Sequence, residues 1–241
     1  RYWKRSSGGF SFLFFKFKLD RKELAGIHKN SIPILFRGWQ AVRATDSQIL
    51  SASSSNMLED AHYPQSSSIP HSDFVIGSIG RIDKLFLIES LKKVVDFVKL
   101  HSEKTFTILL IGDSSQSSAN KSIKKMFKGL ANVKIFITGL IYPIPIELVQ
   151  IPDVFISTSG ACHISNSLGK LTISVDANNF KPIGIVGKTT NNTLFRENEP
   201  EISLNDLLES ILIRKEYKSE VFPRKNWHQI NYDYSDHLEF I

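Results

Sequence analysis

DVFISTSGACHISNSLGKLTISVD, residues 153–176, sets strand, turn, helix and strand in immediate succession. It opens with an apolar strand that ends in three hydroxyls, Ser157, Thr158 and Ser159. Gly160 then lets the backbone turn sharply and approach a ligand closely. HISNSLGK reads as a short helix closed by Gly169, and LTISVD as a further strand. Ser165 and Ser167 are small enough for that helix to lie flat on a sheet. His163 falls in its first turn, where the open N–H groups of a helix start favour an anion.

Upstream, the same alternation recurs. FVIGSIG (74–80) is an apolar run ending in glycines, a buried strand followed by a tight turn. Leu85, Ile88, Leu91, Val95 and Val98 recur at helical spacing with Lys92, Lys93, Asp96 and Lys99 between them, which predicts an amphipathic helix with those five residues in the core. FTILLIGD (106–113) is a second strand, ANKSIKKMFKGL (119–130) a helix ended by Gly129, and VKIFITG (133–139) a third strand. IPIELVQ (144–150) is a short helix with Pro145 near its first turn. Downstream, SLNDLLESILI (203–213) is a helix capped by Ser203 with Leu204, Leu207, Leu208 and Ile211 on one face. NWHQINYDYSDHLEF (226–240) reads as another helix. Strands alternating with helices of these lengths imply an α/β fold, a Rossmann-like parallel sheet with flanking helices.

Three loops leave strands at the carboxyl edge of such a sheet, where ligands of open α/β folds bind. In GSIGRIDK (77–84), Gly77 and Gly80 permit a sharp turn, and Arg81 and Lys84 place two cations near a helix start. That arrangement suits a diphosphate; the bland reading is a surface turn with solvated charges. The glycine spacing is not that of the dinucleotide fingerprint, and no P-loop occurs. TGLIYPIP follows the third strand, and STSGACH the fourth. A later stretch, VDANNFKPIGIVGKTTNNTLFR (175–196), reads as a polar, glycine-rich loop. Its Asp176, Asn178, Lys181, Thr189 and Thr190 line either the same cleft or solvent.

Elsewhere the sequence bounds the answer. The 241 residues carry a net charge of +6. Residues 1–43 hold ten Lys and Arg against Asp20 and Glu23, so the remainder is slightly acidic. This basic segment, rich in Phe and Trp, suits a solvated face or a peripheral contact with an anionic membrane. A nucleic-acid partner is not expected, because the charge lies outside the regular domain and no reading motif occurs. A single cysteine, Cys162, excludes an internal disulfide framework and fits a reducing compartment. No run is long enough to span a bilayer. Residues 46–73 are Ser-rich with Pro64 and Pro70, the composition of a linker. Three segments follow: 1–45 as the remnant of a first domain, 46–73 as linker, and 74–241 as the α/β domain. The start at Arg1 raises the expectation of further sequence upstream.

The run S-G-A-C-H-I-S-N-S-L-G-K (159–170) resembles the D-S-G-x-x-H-x-x-x-x-L-G-K-P segment of the heptosyltransferase-like, ADP-heptose-using glycosyltransferases. GRIDK (80–84) resembles the G-R-x-x-x-K loop of group 1 glycosyltransferases. The resemblance covers about residues 74–190. Thr158 stands where the first family has Asp, and Leu171 where it has Pro. The paired-glutamate pattern of group 1 enzymes is absent, since no Glu lies between Glu147 and Glu197. Both families have the GT-B fold, two Rossmann-like domains with the donor held mainly by the C-terminal one. The resemblance therefore implies a glycosyltransferase that moves a sugar from a nucleotide-diphosphate donor to a glycan or lipid-linked acceptor, cytoplasmic or peripheral on the inner membrane face, in surface polysaccharide or glycolipid synthesis. It implies that Gly80, Arg81 and Lys84 hold the donor phosphates, that Ser159, Gly160 and His163 touch phosphate or sugar, and that Gly139 to Tyr142 lie near base or ribose. The nucleotide sugar is substrate; no cofactor and no metal is implied, and no catalytic base is assigned. A sugar-nucleotide epimerase of GT-B form and a non-catalytic, membrane-associated scaffold are the alternatives.

Overall fold

Six-residue apolar runs such as Phe106–Ile111, buried along their whole length, can persist only inside a sheet covered on both faces. The computed structural model describes residues 10–21, 57–114 and 118–219. They fall in two units. The first holds helix α1 (Phe10–Asp20), and the second holds everything from residue 57 onward. The expected strand-like run near residue 34 and the helix at 226–240 lie outside the described residues.

The second unit contains β1 (Leu58–Glu59), β2 (Phe74–Ile79), α2 (Leu85–Leu100), β3 (Phe106–Ile111), α3 (Ser118–Met126) and β4 (Val133–Ile137). It continues with β5 (Ile144–Pro145), α4 (Ile146–Gln150), β6 (Val154–Ser157), α5 (Gly160–Ser167), β7 (Leu171–Val175), β8 (Pro182–Ile185) and α6 (Leu204–Leu208). A π-helical turn, Glu209–Ile213, prolongs α6. The main sheet has the order β4-β3-β2-β6-β7-β8, parallel except for β8. This is the α/β architecture that the alternation of strands and helices implies.

Alternate strand residues feed two cores. Ile76, Ile108, Leu110, Val154 and Ile156 meet α2, α3 and α6 through Leu91, Val94, Ile123, Leu207 and Leu208. Ile79, Leu109, Ile111 and Phe155 meet α4 and α5 on the other face, through Leu148, Val149 and Ile164. The Ser-rich stretch joins that second core. Its Tyr63 and Ile69 are buried there, and β1 pairs with β5. Glu147 anchors it, taking hydrogen bonds from the Ser66 side chain, the Tyr63 N–H and the His62 ring, which hold its carboxyl below the usual range.

Two expectations are corrected. Helix α2 buries Phe86, Leu87, Ser90, Leu91, Val94, Phe97 and Val98, whereas Leu85 is 65% exposed. Leu91 and Val98 are nevertheless buried, and Ile88 and Val95 pack against the same core, so of the expected stripe only Leu85 lies outside it. The 175–196 stretch is not all loop, since Pro182–Ile185 adds antiparallel to β7 at the sheet edge. An edge position tolerates Pro182, which has no N–H to give. Gly184 is required there, because a Cβ would lie 2.5 Å from the Thr189 hydroxyl. Among the described residues no helix is long and apolar enough to cross a membrane.

Candidate functional site

Strand β2 is followed in sequence by β3 on one side, and the chain returns to place β6 on its other side. That reversal is the topological switch point, where a crevice opens beyond the carboxyl ends of the strands. Register pairs Ile76 with Val154 and Gly77 with Phe155, so the turns at Gly80 and Thr158 leave neighbouring strands at the same rim.

The β2 side is set by close backbone packing. Gly80 has φ 116° and donates its N–H to the Ile111 carbonyl at 2.9 Å. Gly112, with φ 145°, lies so close that a Cβ there would sit 2.1 Å from the Gly80 oxygen. Ile82 N–H donates to the Asp113 carbonyl at 3.1 Å, and Gly112 N–H to the Thr138 hydroxyl at 3.0 Å. The turns after β2, β3 and β4 are therefore laced together. Lys84 caps α2 through its backbone alone, with no side-chain cap. Its ammonium lies 5.9 Å from the Phe86 ring centre and 3.9 Å from where a Gly80 Cβ would stand, so it overhangs the glycine turn. Arg81 is mostly exposed, its Nε 3.5 Å from the Asp83 carboxylate.

Across the crevice, Ser159 holds φ 56° and ψ −134°, a conformation rare outside glycine. Its neighbours impose it. Ser159 N–H and the Thr158 hydroxyl both donate to the Thr193 carbonyl, at 2.5 and 3.3 Å. Ser159 starts α5 without a side-chain cap, so the first amides of that helix have no side-chain partner from it. His163 is half-buried, its Nε2 3.4 Å from the Thr193 hydroxyl. Burial lowers its pKa, so the imidazole is neutral at pH 7 and can donate one hydrogen bond. Cys162 is fully buried and its thiol is pushed up to about 12, which makes it unreactive. Among the described residues no group of three or more His, Cys, Asp or Glu could hold a metal ion.

The structure thus brings Gly80, Arg81 and Lys84 to the same rim as Ser159, Gly160 and His163. Gly139 and Tyr142 follow β4, two strands from β2, with the Gly112–Asp113 turn between, and Tyr142 is 69% exposed.

No protein-family model and no curated protein matches the chain. Several solved structures are similar to it. The catalytic domain of cholesterol-α-glucosyltransferase from Helicobacter pylori is 18% identical, with 69% of this chain and 99% of that one covered and a TM-score of 0.38. A mutant S. aureus TarM, solved with fondaparinux, α-GlcNAc-glycerol and UDP, is 16% identical over 89% of this chain, with a TM-score of 0.49. Anabaena HepE, solved with UDP and glucose, is 17% identical over 70%, with a TM-score of 0.42. The chain spans less than half the length of the last two, 42% and 48%.

Sequence reasoning missed Thr193 and the Gly112–Asp113 turn. Gly-Asp directly after a six-residue apolar run was the available signal for the turn. Nothing local marked Thr193, which reaches the site only because the segment after β8 folds back. Of the residues singled out in that segment, buried Asp176 instead builds a turn, accepting from Asn178 and Asn179 N–H. Thr190 donates to Glu199, and Lys181 pairs with Glu201.

Proposed function

We propose that the crevice between the Gly80 and Ser159 turns holds the diphosphate of a nucleotide sugar, and that the chain is the donor-binding part of a glycosyltransferase. One observation carries this reading. Two helices, α2 and α5, start without side-chain caps at the ends of adjacent strands on either side of the switch point. Uncapped N-termini present backbone N–H groups and partial positive charge, which suit an anion better than any other ligand. Lys84 and Arg81 add formal charge where a leaving diphosphate would develop it. The Gly160 turn gives the closest backbone approach. His163, being neutral, donates to a phosphate or sugar oxygen without competing for charge. Gly139 to Tyr142 lie toward the base or ribose.

The acceptor is a glycan or lipid-linked saccharide, and the work is surface polysaccharide or glycolipid synthesis on the inner face of a membrane. The basic N-terminal segment rests on the anionic headgroups there. In α1, Leu13, Phe14 and Phe17 are exposed beside Lys16 and Lys18, apolar and basic side chains that both suit such a surface.

Thermal denaturation with UDP, GDP and ADP and their sugars tests the donor site. A nucleotide at a hundredfold excess over its Kd stabilises by about 2.7 kcal/mol, which raises Tm by roughly 5–10 °C in a chain of this size. Arg81→Ala combined with Lys84→Ala should abolish the rise. No shift with any of the nucleotides would overturn the reading.

A further inference from the structure

The near balance of charge over residues 74–241 does not hold locally. Residues 114–146 contain five lysines, Lys121, Lys124, Lys125, Lys128 and Lys134, and no Asp or Glu. The fold gathers them. Ala119, Ile123 and Phe127 bury one side of α3 and of the turn after it. Lys121, Lys124, Lys125 and Lys128 fall on the exposed other side, within an arc of about 100°. Lys134 is exposed on β4, the edge strand that α3 leads into. Among the described residues none of the five has an ion pair.

Nothing inside the molecule accounts for this face. Lys121 and Lys125, like Lys124 and Lys128, stand at i,i+4, and Lys121–Lys124 and Lys125–Lys128 at i,i+3. Like charges at these spacings destabilise a helix. The first turn of α3 holds no acid and ends in Lys121, against the helix dipole, which favours only Lys124 and Lys125 in the last turn. An anionic partner outside the molecule supplies the compensation that the fold does not.

The chemistry of the face selects that partner. All five cations are lysines, and no Arg occurs between Arg81 and Arg196. Lysine is a point charge on a flexible stem, without the fork that reads a phosphate or a base edge in two directions. The single aromatic residue of the 118–134 stretch, Phe127, is buried and cannot stack on a base. Mobile charges of one sign suit a fluid anionic surface. Leu140, 83% exposed just beyond β4, adds an apolar side chain at the same sheet edge. We infer that α3 and the β4 edge form a second membrane-docking face, which seats the α/β unit itself on anionic lipid. This face shares the membrane with the reading above, but rests neither on the donor crevice nor on residues 1–43.

Partition of the full chain onto vesicles of equal parts phosphatidylglycerol and phosphatidylcholine tests this. Each lysine at such a surface contributes about fivefold, so Lys121→Gln, Lys125→Gln and Lys128→Gln together should weaken binding by at least about thirtyfold. Gln keeps the helix propensity of Lys and relieves the like charges, so the variant should fold. The same change at exposed Lys181, Lys188 and Lys215, none of them on α3 or β4, should weaken it by less than about fivefold. Ser122→Cys, beside the lysines, takes a thiol-reactive, polarity-sensitive dye, since Cys162 is fully buried with its thiol pushed up to about 12. The dye's emission should shift to the blue on the vesicles. UDP protection should be the same in the parent chain and the α3 variant, so the donor reading stands or falls separately. Equal losses in the two triple variants, an unshifted dye on vesicles that bind the chain, or no partition at all would each overturn the inference. Binding lost only toward duplex DNA would overturn it too, and give the face to nucleic acid.

Discussion

A methyl group on Gly112 would stand 2.1 Å from the Gly80 carbonyl oxygen, at a φ of 145° that L side chains avoid. Neither turn can yield without breaking the bonds that lace β2 to β3. Gly112→Ala should therefore cost about 2–4 kcal/mol, read as a lower urea midpoint. Ser159 is the opposite case. It holds a glycine-like conformation without being glycine, so Ser159→Gly should change stability by no more than about 1 kcal/mol, relief of strain offsetting the greater freedom of the unfolded chain. At His163 the variable is the proton. Burial lowers the pKa of the folded imidazole, so the unfolded chain takes up a proton that the folded chain refuses. Stability present at neutral pH is lost as pH falls from about 6.5 toward the lower folded value. In His163→Gln that part of the stability–pH curve should flatten, and an unchanged slope would show that the imidazole carries no such penalty.

Among the elements, the segment from Thr190 to Glu199 matters most to the crevice, because Thr193 holds the Ser159 turn. Glu199 ties the segment into a loop. Burial raises its pKa, but hydrogen bonds from the Thr190 hydroxyl, the Glu197 N–H and the Asn192 amide outweigh that and bring it to about 2. A carboxylate so bonded contributes stability above its unfolded value of 4.5 and loses it as pH falls to about 2. Glu199→Gln should destabilise the chain by about 1–3 kcal/mol at pH 7. The gap from the parent chain should close across that acid range, and weaker UDP protection should accompany it. The strands and turns that frame the crevice were legible because buried parallel strands are short apolar runs and Gly80 and Gly160 punctuate them. The 190–199 loop was not, since its bonds join residues by fold rather than by spacing. Helix α2 was legible except at Leu85. Its apolar residues cover a wide arc, and contact with α6 as well as the sheet selects Phe86, Leu87 and Val94 while leaving Leu85 outside. PIGI (182–185) was hidden by two residues that ordinarily break strands.

At the scale of the whole molecule, charge and fold are separated along the chain. The sheet and its crevice belong to residues 74–241, where twenty Lys and Arg nearly balance eighteen Asp and Glu, while residues 1–43 hold the other ten Lys and Arg against two acids. The diphosphate site we propose therefore rests on local amides and two cations rather than on a field from the whole protein, and its affinity should fall only modestly with salt. The N-terminal segment should behave in the opposite way. Each Lys or Arg near an anionic surface contributes about 1 kcal/mol, and that attraction shortens in range from about 10 Å at 0.1 M salt to about 3 Å at 1 M. The full chain should co-sediment with phosphatidylglycerol-rich vesicles at low salt and not with phosphatidylcholine alone. Raising the salt to about 1 M should release it, while UDP protection persists. Sedimentation that ignores both lipid charge and salt would assign the contact to the exposed Phe and Leu side chains of α1 instead, and no sedimentation at low salt would remove the membrane from the proposal.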